Sequence, residues 1–390
     1  MAGLMRRFLV KPSAMLWPQC LSTVALFVGF HEKEEDDEDE PGKKWSLTRY
    51  QCFWLSLISM FLYSWFPLYI APALQSISML CYITSQSDLR FLSTAIPPPN
   101  GRGGVGLGTL TFDWSQLGGG FLTSPWWAQV NFMVGNIIWG WILTPILFYS
   151  NAFGMDQSLQ IQNQTVLNTG ALFNKDGIFV NAVALYNKTT FDLDEQTYTT
   201  QSPIYITSFF ALSYGARFMS IAAAFSHVYI WHGTDIFRQF KSALRQMDDS
   251  IDETDIHNRL MRKYPDIAEW KYLVFLIICT VGQMVVSLTT PFSMPIWAVL
   301  LCICMAMASV LPIGVISAIS GTTLGLNVLT EFIIGLLIPG KTIAVMTFKS
   351  LGTNSVIQAL NLLSDLKLGH YMKINPVHMV FAQVCFVCVV

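Results

Sequence analysis

Residues Tyr272–Gly340 read YLVFLIICTVGQMVVSLTTPFSMPIWAVLLCICMAMASVLPIGVISAISGTTLGLNVLTEFIIGLLIPG, 69 positions with one charged side chain, Glu331. The hydrocarbon of a bilayer is about 30 Å thick and takes about 20 predominantly apolar residues in one helical span. The run therefore accommodates two spans, about 272–290 and about 295–319, joined across the proline-bearing TTPFSMP. What remains, Gly321–Gly340, is punctuated by glycine and predicts a re-entrant hairpin, because irregular backbone at membrane depth needs protein around it.

Outward from this stretch the pattern repeats. Charge-free runs cover Pro12–His31, Tyr50–Ser87 and Trp114–Met155. Charged residues make up 12% of the 390-residue chain, half the quarter usual in soluble domains, and hydrophobic residues 53%. A division into soluble domains is excluded. The fold class is an all-α polytopic integral membrane protein, with multiple transmembrane helices and re-entrant or broken segments. It forms a single membrane domain over 1–390, with spans at about 12–31, 50–72, 126–150, 203–231, 272–290 and 295–319. A partial span at 376–390 falls short of crossing length, which points to a fragment of a longer protein.

Charge places the loops. Arg6, Arg7 and Lys11 precede the first run and mimic a signal peptide, but Trp17, Pro18 and the missing small-residue cleavage site favour a retained helix. The acidic stretch Glu32–Glu40 reads as a solvated loop. The hydrophilic segment 156–201 carries two sequons, at Asn163 and Asn187, and reads as extracellular. The segment 238–271, with Arg238, Lys241, Arg245, Arg259, Arg262, Lys263 and Lys271, reads as cytoplasmic by the positive-inside rule. Residues Lys341–Lys373 are amphipathic and basic and fall on the cytoplasmic side in this scheme. A near-balanced net charge of −2 gives no basic footprint for nucleic acid. The eight cysteines lie in or beside apolar runs, which argues against a disulfide framework.

Enzyme templates are missing. Gly101, Gly103 and Gly106 fit a dinucleotide fingerprint but have no strand before them and no helix after. The six histidines are too scattered for a metal site, and His227 and His232, five apart, do not share a face of an α-helix. The chemistry then rests on ionisable residues in apolar surroundings. Glu331 is the foremost: burial disfavours its charged form, so it could carry a proton, or it could bond to hairpin backbone. Asp113, after the Pro/Gly-rich IPPPNGRGGVGLG (Ile96–Gly108), could cap the next helix or bind a proton or a substrate amine. Arg217, mid-helix, could pair with a carboxylate such as Glu331, bind a substrate carboxylate or face a water-filled cavity. His227 is a possible relay, and Asn327 stands beside the hairpin glycines. No cofactor and no metal is implied.

Six stretches together resemble the oligopeptide transporter (OPT) family, in its peptide-transporter branch. They are AGLMRRFLVKPSAMLWP (Ala2–Pro18), GLGTLTFDWSQL (Gly106–Leu117), SPWWAQVNF (Ser124–Phe132), DIHNRLMRKYPDIAEW (Asp255–Trp270), GLNVLTEFIIGLLIPG (Gly325–Gly340) and SDLKLGHYMKINP (Ser364–Pro376). Against the family's KIPPR motif the chain reads Lys373-Ile374-Asn375-Pro376-Val377, so Lys373, Ile374 and Pro376 carry over. The resemblance implies proton-coupled symport of small oligopeptides or glutathione-like peptides across the plasma membrane, by a protein about twice this length. Its implied partners are a peptide, protons and the bilayer. The alternatives are a metal-chelate or siderophore carrier and a non-transporting truncated membrane protein.

Overall fold

The computed structural model describes residues 1–31, 48–71, 123–150, 172–174, 178–187, 192–244, 255–265, 267–290 and 294–389. The acidic stretch, the whole Pro/Gly-rich segment Ile96–Gly108, Asp113 and Asn163 lie outside them. The described chain is mainly helical, with a small antiparallel sheet formed by the polar loop and the residues just after it, ordered β2–β1–β3. Its strands are β1 (Leu172–Phe173), β2 (Phe179–Val180) and β3 (Tyr205–Ile206).

The N-terminal helices are α1 (Ala2–Leu9), α2 (Pro18–His31) and α3 (Arg49–Trp65), and α3 continues as a π-helical turn to Ile70. Thr48 starts α3 with a reciprocal cap. Its Oγ1 accepts from the Gln51 N–H at 3.3 Å, and the Gln51 side chain accepts from the Thr48 N–H at 3.2 Å. A further rod runs through α4 (Trp126–Asn136), a π-segment (Ile137–Leu143) and α5 (Thr144–Tyr149). After the short α6 (Glu195–Gln201), α7 (Ser208–His227) passes through a π-segment (Val228–His232) into α8 (Gly233–Leu244). Then come α9 (Ile256–Met261), α10 (Glu269–Thr289), α11 (Ile296–Ser320), α12 (Asn327–Leu337), α13 (Thr342–Met372) and α14 (Pro376–Val389). Among the described residues, four continuous helices are long and apolar enough to cross a membrane: Arg49–Ile70, Phe209–Arg238, Glu269–Thr289 and Ile296–Ser320.

The core lies around α11 and α13. Half of the most apolar window of α11 is buried inside the protein, against 6% for α10, so α11 is central and α10 faces outward. Cys302 Sγ meets Phe348 O at 3.5 Å, and any side chain at Gly314 would meet Leu360 at 3.3 Å. Twelve residues along one helix thus match twelve along the other, so α11 and α13 run parallel. The connection must return between them. Gly321, with φ +72, ends α11 in the left-handed conformation that lacks a Cβ penalty, its N–H donating to Ser317 O at 2.9 Å. Non-helical residues 322–326 and then α12 make the return, and Gly340 (φ +83) turns the chain into α13. At 11 residues α12 is about 16 Å long, half the hydrocarbon thickness.

Two elements differ from the sequence reading. First, Lys341–Lys373 is not a surface segment on one side: it holds the 31-residue α13, about 46 Å long, with Phe348 and Leu363 wholly buried. Its beginning lies beside the polar loop, where the Leu193 N–H donates to Gly340 O at 2.9 Å. Its other end meets α9 through Lys373 and His257, so α13 traverses the bundle. Second, the run 12–31 becomes helical only at Pro18. Residues 10–17 fold across the end of α13, and Trp17 adopts φ 52 with its ring fully buried. The Trp17 indole N–H donates to Leu9 O at 2.8 Å and its backbone N–H to Ala318 O at 2.8 Å. A third anchor comes from Lys367, which donates to Val10 O at 2.8 Å and Pro12 O at 3.3 Å. Side chains from α13 thus hold backbone that a continuous helix would have satisfied internally.

Candidate functional site

The half-length α12 lies against α13 where Gly352 lets the helices approach. A side chain there would meet Thr330 at 3.0 Å and Cys302 Sγ at 3.1 Å. This antiparallel contact sets the register of the turn, and the register brings Lys349 Nζ to 2.7 Å from Glu331 Oε2. The two side chains retain 33% and 27% of their exposure for Glu331 and Lys349, so the pair faces an opening rather than a sealed core. Lys349 sits about 10 Å inside the start of α13, within the bundle rather than beyond it. A lone buried carboxylate would be costly in this setting, and the ammonium offsets that cost.

The first turn of α12 starts at Asn327, four residues before Glu331. The first N–H groups of any helix lack intrahelical partners and carry the positive end of its dipole. Thr330 stays inside the turn, its Oγ1 donating to Leu326 O at 3.2 Å and to Asn327 O at 2.9 Å. Asn327 Oδ1 is buried with no hydrogen-bond partner among the described residues, and so is Thr353 Oγ1 on α13. A half-helix end, an amide and an ion pair thus lie along about 6 Å of one short helix. The arrangement offers donors to an anionic group at one point and a carboxylate to a cation or a proton at another.

The other sequence candidates fall elsewhere. Arg217 lies exposed on α7 and is not the partner of Glu331, although Phe218 beside it stacks edge-on with Phe332 of α12 at 5.4 Å. His227 ends α7 at the exposed surface, where the π-segment brings its ring to 6.1 Å from His232. In an α-helix residues five apart diverge, but the wider π-turn, bonded i to i+5, returns them to the same side. Asn187 is exposed in the polar loop, and its N–H donates to Asp192 O at 2.9 Å. Lys349 escaped the sequence reading because it was counted with the basic segment. One signal could have found it: Glu331 and Lys349 each stand nine residues from Gly340, the pairing expected of a tight helical hairpin.

The motif residues Lys373, Ile374 and Pro376 form the junction of α13 and α14. Lys373 adopts φ 60 and donates to Tyr371 O at 2.9 Å, capping the carbonyl end of α13. Asn375 then caps α14, its Oδ1 accepting from the Val377 N–H at 3.0 Å, with Pro376 at the first helical position. Ile374 is exposed between them. Lys373 Nζ also hydrogen-bonds His257 Nδ1, and α9 itself is capped by Asp255, whose Oδ1 accepts from the His257 N–H at 3.0 Å.

Partial burial, and then the Lys373 ammonium, hold the His257 imidazole below its usual 6.5, with Asp255 opposing. The fold therefore favours the neutral ring. Its contribution is complete above that ordinary value and is lost as the pH falls through the lowered one. Acidification from neutral pH is expected to raise hydrogen exchange across 255–262, after correction for intrinsic rates, and His257→Gln to remove the step. Equal protection at both pH values would count against His257 as the group that titrates.

The family described as "OPT oligopeptide transporter protein" matches residues 1–390. Among curated proteins of Arabidopsis thaliana, the chain is 35% identical to Oligopeptide transporter 7 over 400 residues, covering 99% of this chain and 49% of that protein. Oligopeptide transporter 2 is 34% identical over 387 residues, with 98% and 49% covered. Oligopeptide transporter 1 is 35% identical over 389 residues, with the same shares. The chain thus spans about half the length of the curated relatives it matches. No solved structure matches it.

Proposed function

The chain belongs to the OPT oligopeptide transporter family, and on that premise we propose that it forms part of the translocating core of a proton-coupled symporter of small peptides. Membership and the four apolar helices make it an integral, multi-pass membrane protein. Its reading as a carrier rather than an enzyme, in the plasma membrane, belongs to the proposal. So does the orientation, with the sequon-bearing loop 156–201 outside and the basic segment 238–271 inside.

The observation that carries the reading is the broken return between α11 and α13. Transporters bind substrate where discontinuous helices expose half-helix ends near mid-membrane, and α12 supplies such an end. The terminal carboxylate of a peptide would meet the α12 N-terminus and Asn327. Its terminal amine, or a proton, would meet Glu331. Protonation of Glu331 would release Lys349, so the ion pair and the proton exclude each other. That exclusion is the minimum that coupling requires. The sequence-level candidate Asp113 remains a second acidic group of this proposal.

The test is accumulation of a radiolabelled tetrapeptide by cells expressing the full chain. Uptake is expected to be greater with acidic than with neutral medium and to collapse when a protonophore is added. Competition by unlabelled short peptides and not by an iron chelate supports the peptide reading. Competition by the chelate alone would replace it with a chelate carrier, and no accumulation of either would end it.

A further inference from the structure

Between α1, α11 and the stretch that runs from the end of α7 into α8 lies a groove of about 1160 Å³. Its floor is α11, through Met307, Ala308 and Leu311, and its walls include Phe8 of α1 and Phe225 of α7. The polar side chains that line it are Arg7, Tyr229, Thr234 and Glu269. Phe225, Tyr229, Ile230 and Phe237 line the groove and are themselves exposed, so one side of it stands open.

The helices around the groove fix its depth. Glu269 begins α10, whose 21 residues make about 31 Å and match the hydrocarbon thickness of about 30 Å. Trp270 beside it is exposed, as aromatic side chains at the membrane interface are. Across this same end lies α1, with Gly3 against Tyr272 and Leu9 against Gly314. Arg7 and Glu269 thus stand at headgroup level, whereas Met307 is near the middle of α11. The groove runs from the membrane surface to mid-depth, about 15 Å, which is the hydrocarbon of one leaflet.

A groove that is polar at its mouth and apolar below follows the gradient of a lipid. An extended peptide would bring backbone N–H and C=O groups that need partners. Around Phe225, Met307 and Ala308 no polar side chain among the described residues supplies them, and hydrocarbon needs none. The open side is also continuous with the lipid-facing surface, since the most apolar windows of α7 and α10 are 11% and 6% buried inside the protein. We propose that this groove holds one acyl chain of a membrane glycerophospholipid. The chain enters at the level of Glu269, lies on α11 and packs α1 against the α7–α8 turn. The site needs a bilayer and is independent of proton coupling.

The test is native mass spectrometry of the purified full chain released from detergent micelles after washing with phosphatidylcholine-free detergent. One phospholipid adduct is expected to survive. Ala308→Trp fills the floor of the groove from an exposed position and displaces the burial of about two methylenes, so the retained lipid should fall about tenfold. Ile278→Trp sets the same side chain on the outward face of α10 and should leave the adduct unchanged. A second measurement needs no variant: phosphatidylcholine with a diazirine at mid-chain should label 225–237 and 307–311 ahead of α3 and α10. Lipid retained in full by Ala308→Trp, equal loss in both variants, or labelling spread evenly over the apolar helices would overturn the proposal. So would a bound polypeptide that Ala308→Trp releases, which would give the groove to a protein partner.

Discussion

Replacing Glu331 by Gln is expected to abolish the pH dependence of peptide accumulation while leaving the chain folded and inserted. Gln keeps the volume and hydrogen-bonding reach of Glu but has no carboxylate to take a proton. Lys349 Nζ, now 2.7 Å from Glu331 Oε2, loses its counter-ion. Both side chains keep about a third of their exposure, so solvent screens the loss and the cost is about 1 kcal/mol. That is small against the roughly 5–15 kcal/mol that holds a protein folded, so the effect belongs to function. The ratio of accumulation in acidic to neutral medium should fall to one. Lys349→Met is the companion variant: Glu331 then lacks the cation that competes with the proton, and accumulation should persist with a weakened response to pH. A full acid response in Glu331→Gln would remove Glu331 from coupling and leave the pair as a tether between α12 and α13.

Much of this arrangement is legible in the sequence, and the part that is not has one physical cause. Hydropathy finds α3, α10 and α11 because their side chains are apolar one by one. Glycines 321 and 340 announce the broken return because both take the left-handed conformation that other residues resist. Glu331 stands out as the lone charge in 69 positions. What hydropathy misses is α13, whose polar residues are matched by partners distant in sequence. Lys349 is matched by Glu331, Asp365 by the Gln383 amide at 2.7 Å, and Lys367 by two carbonyls more than 350 residues away. Each lowers the apparent hydrophobicity of the helix, although the pair costs far less to bury than the residue alone. The break at 10–17 is hidden for the same reason: the carbonyls of Val10, Pro12 and Leu16 accept from Lys367 and Tyr371, far away in the sequence. The pairing of His227 with His232 depends on a π-turn, which five-residue spacing does not reveal.

Lys367→Met should then cost about 2–4 kcal/mol of stability. Lys367 is 2% exposed, and its ammonium donates to Val10 O and Pro12 O and lies 5.2 Å from the centre of the Tyr371 ring. Two opposing terms decide the sign. Burying an ammonium is expensive, and replacing both members of a buried polar pair by apolar groups is often neutral or stabilising. Here only one member can be replaced, because its acceptors are backbone carbonyls. Met would fill the volume and leave Val10 O without the ammonium, while Pro12 O keeps the Met15 N–H at 3.2 Å; the loss of two charge-assisted bonds still outweighs the relief of desolvation. Tyr371→Phe provides the calibration, since it removes one neutral bond, from the Tyr371 hydroxyl to Leu16 O at 2.8 Å, and should cost about 1 kcal/mol. Thermal unfolding in detergent gives the order of the two variants, and hydrogen exchange across 10–17 locates the loss. A Lys367→Met protein as stable as the parent, with that segment still protected, would mean that Trp17, Tyr371 and Asn258 hold the fold-back and that the buried ammonium adds nothing to it.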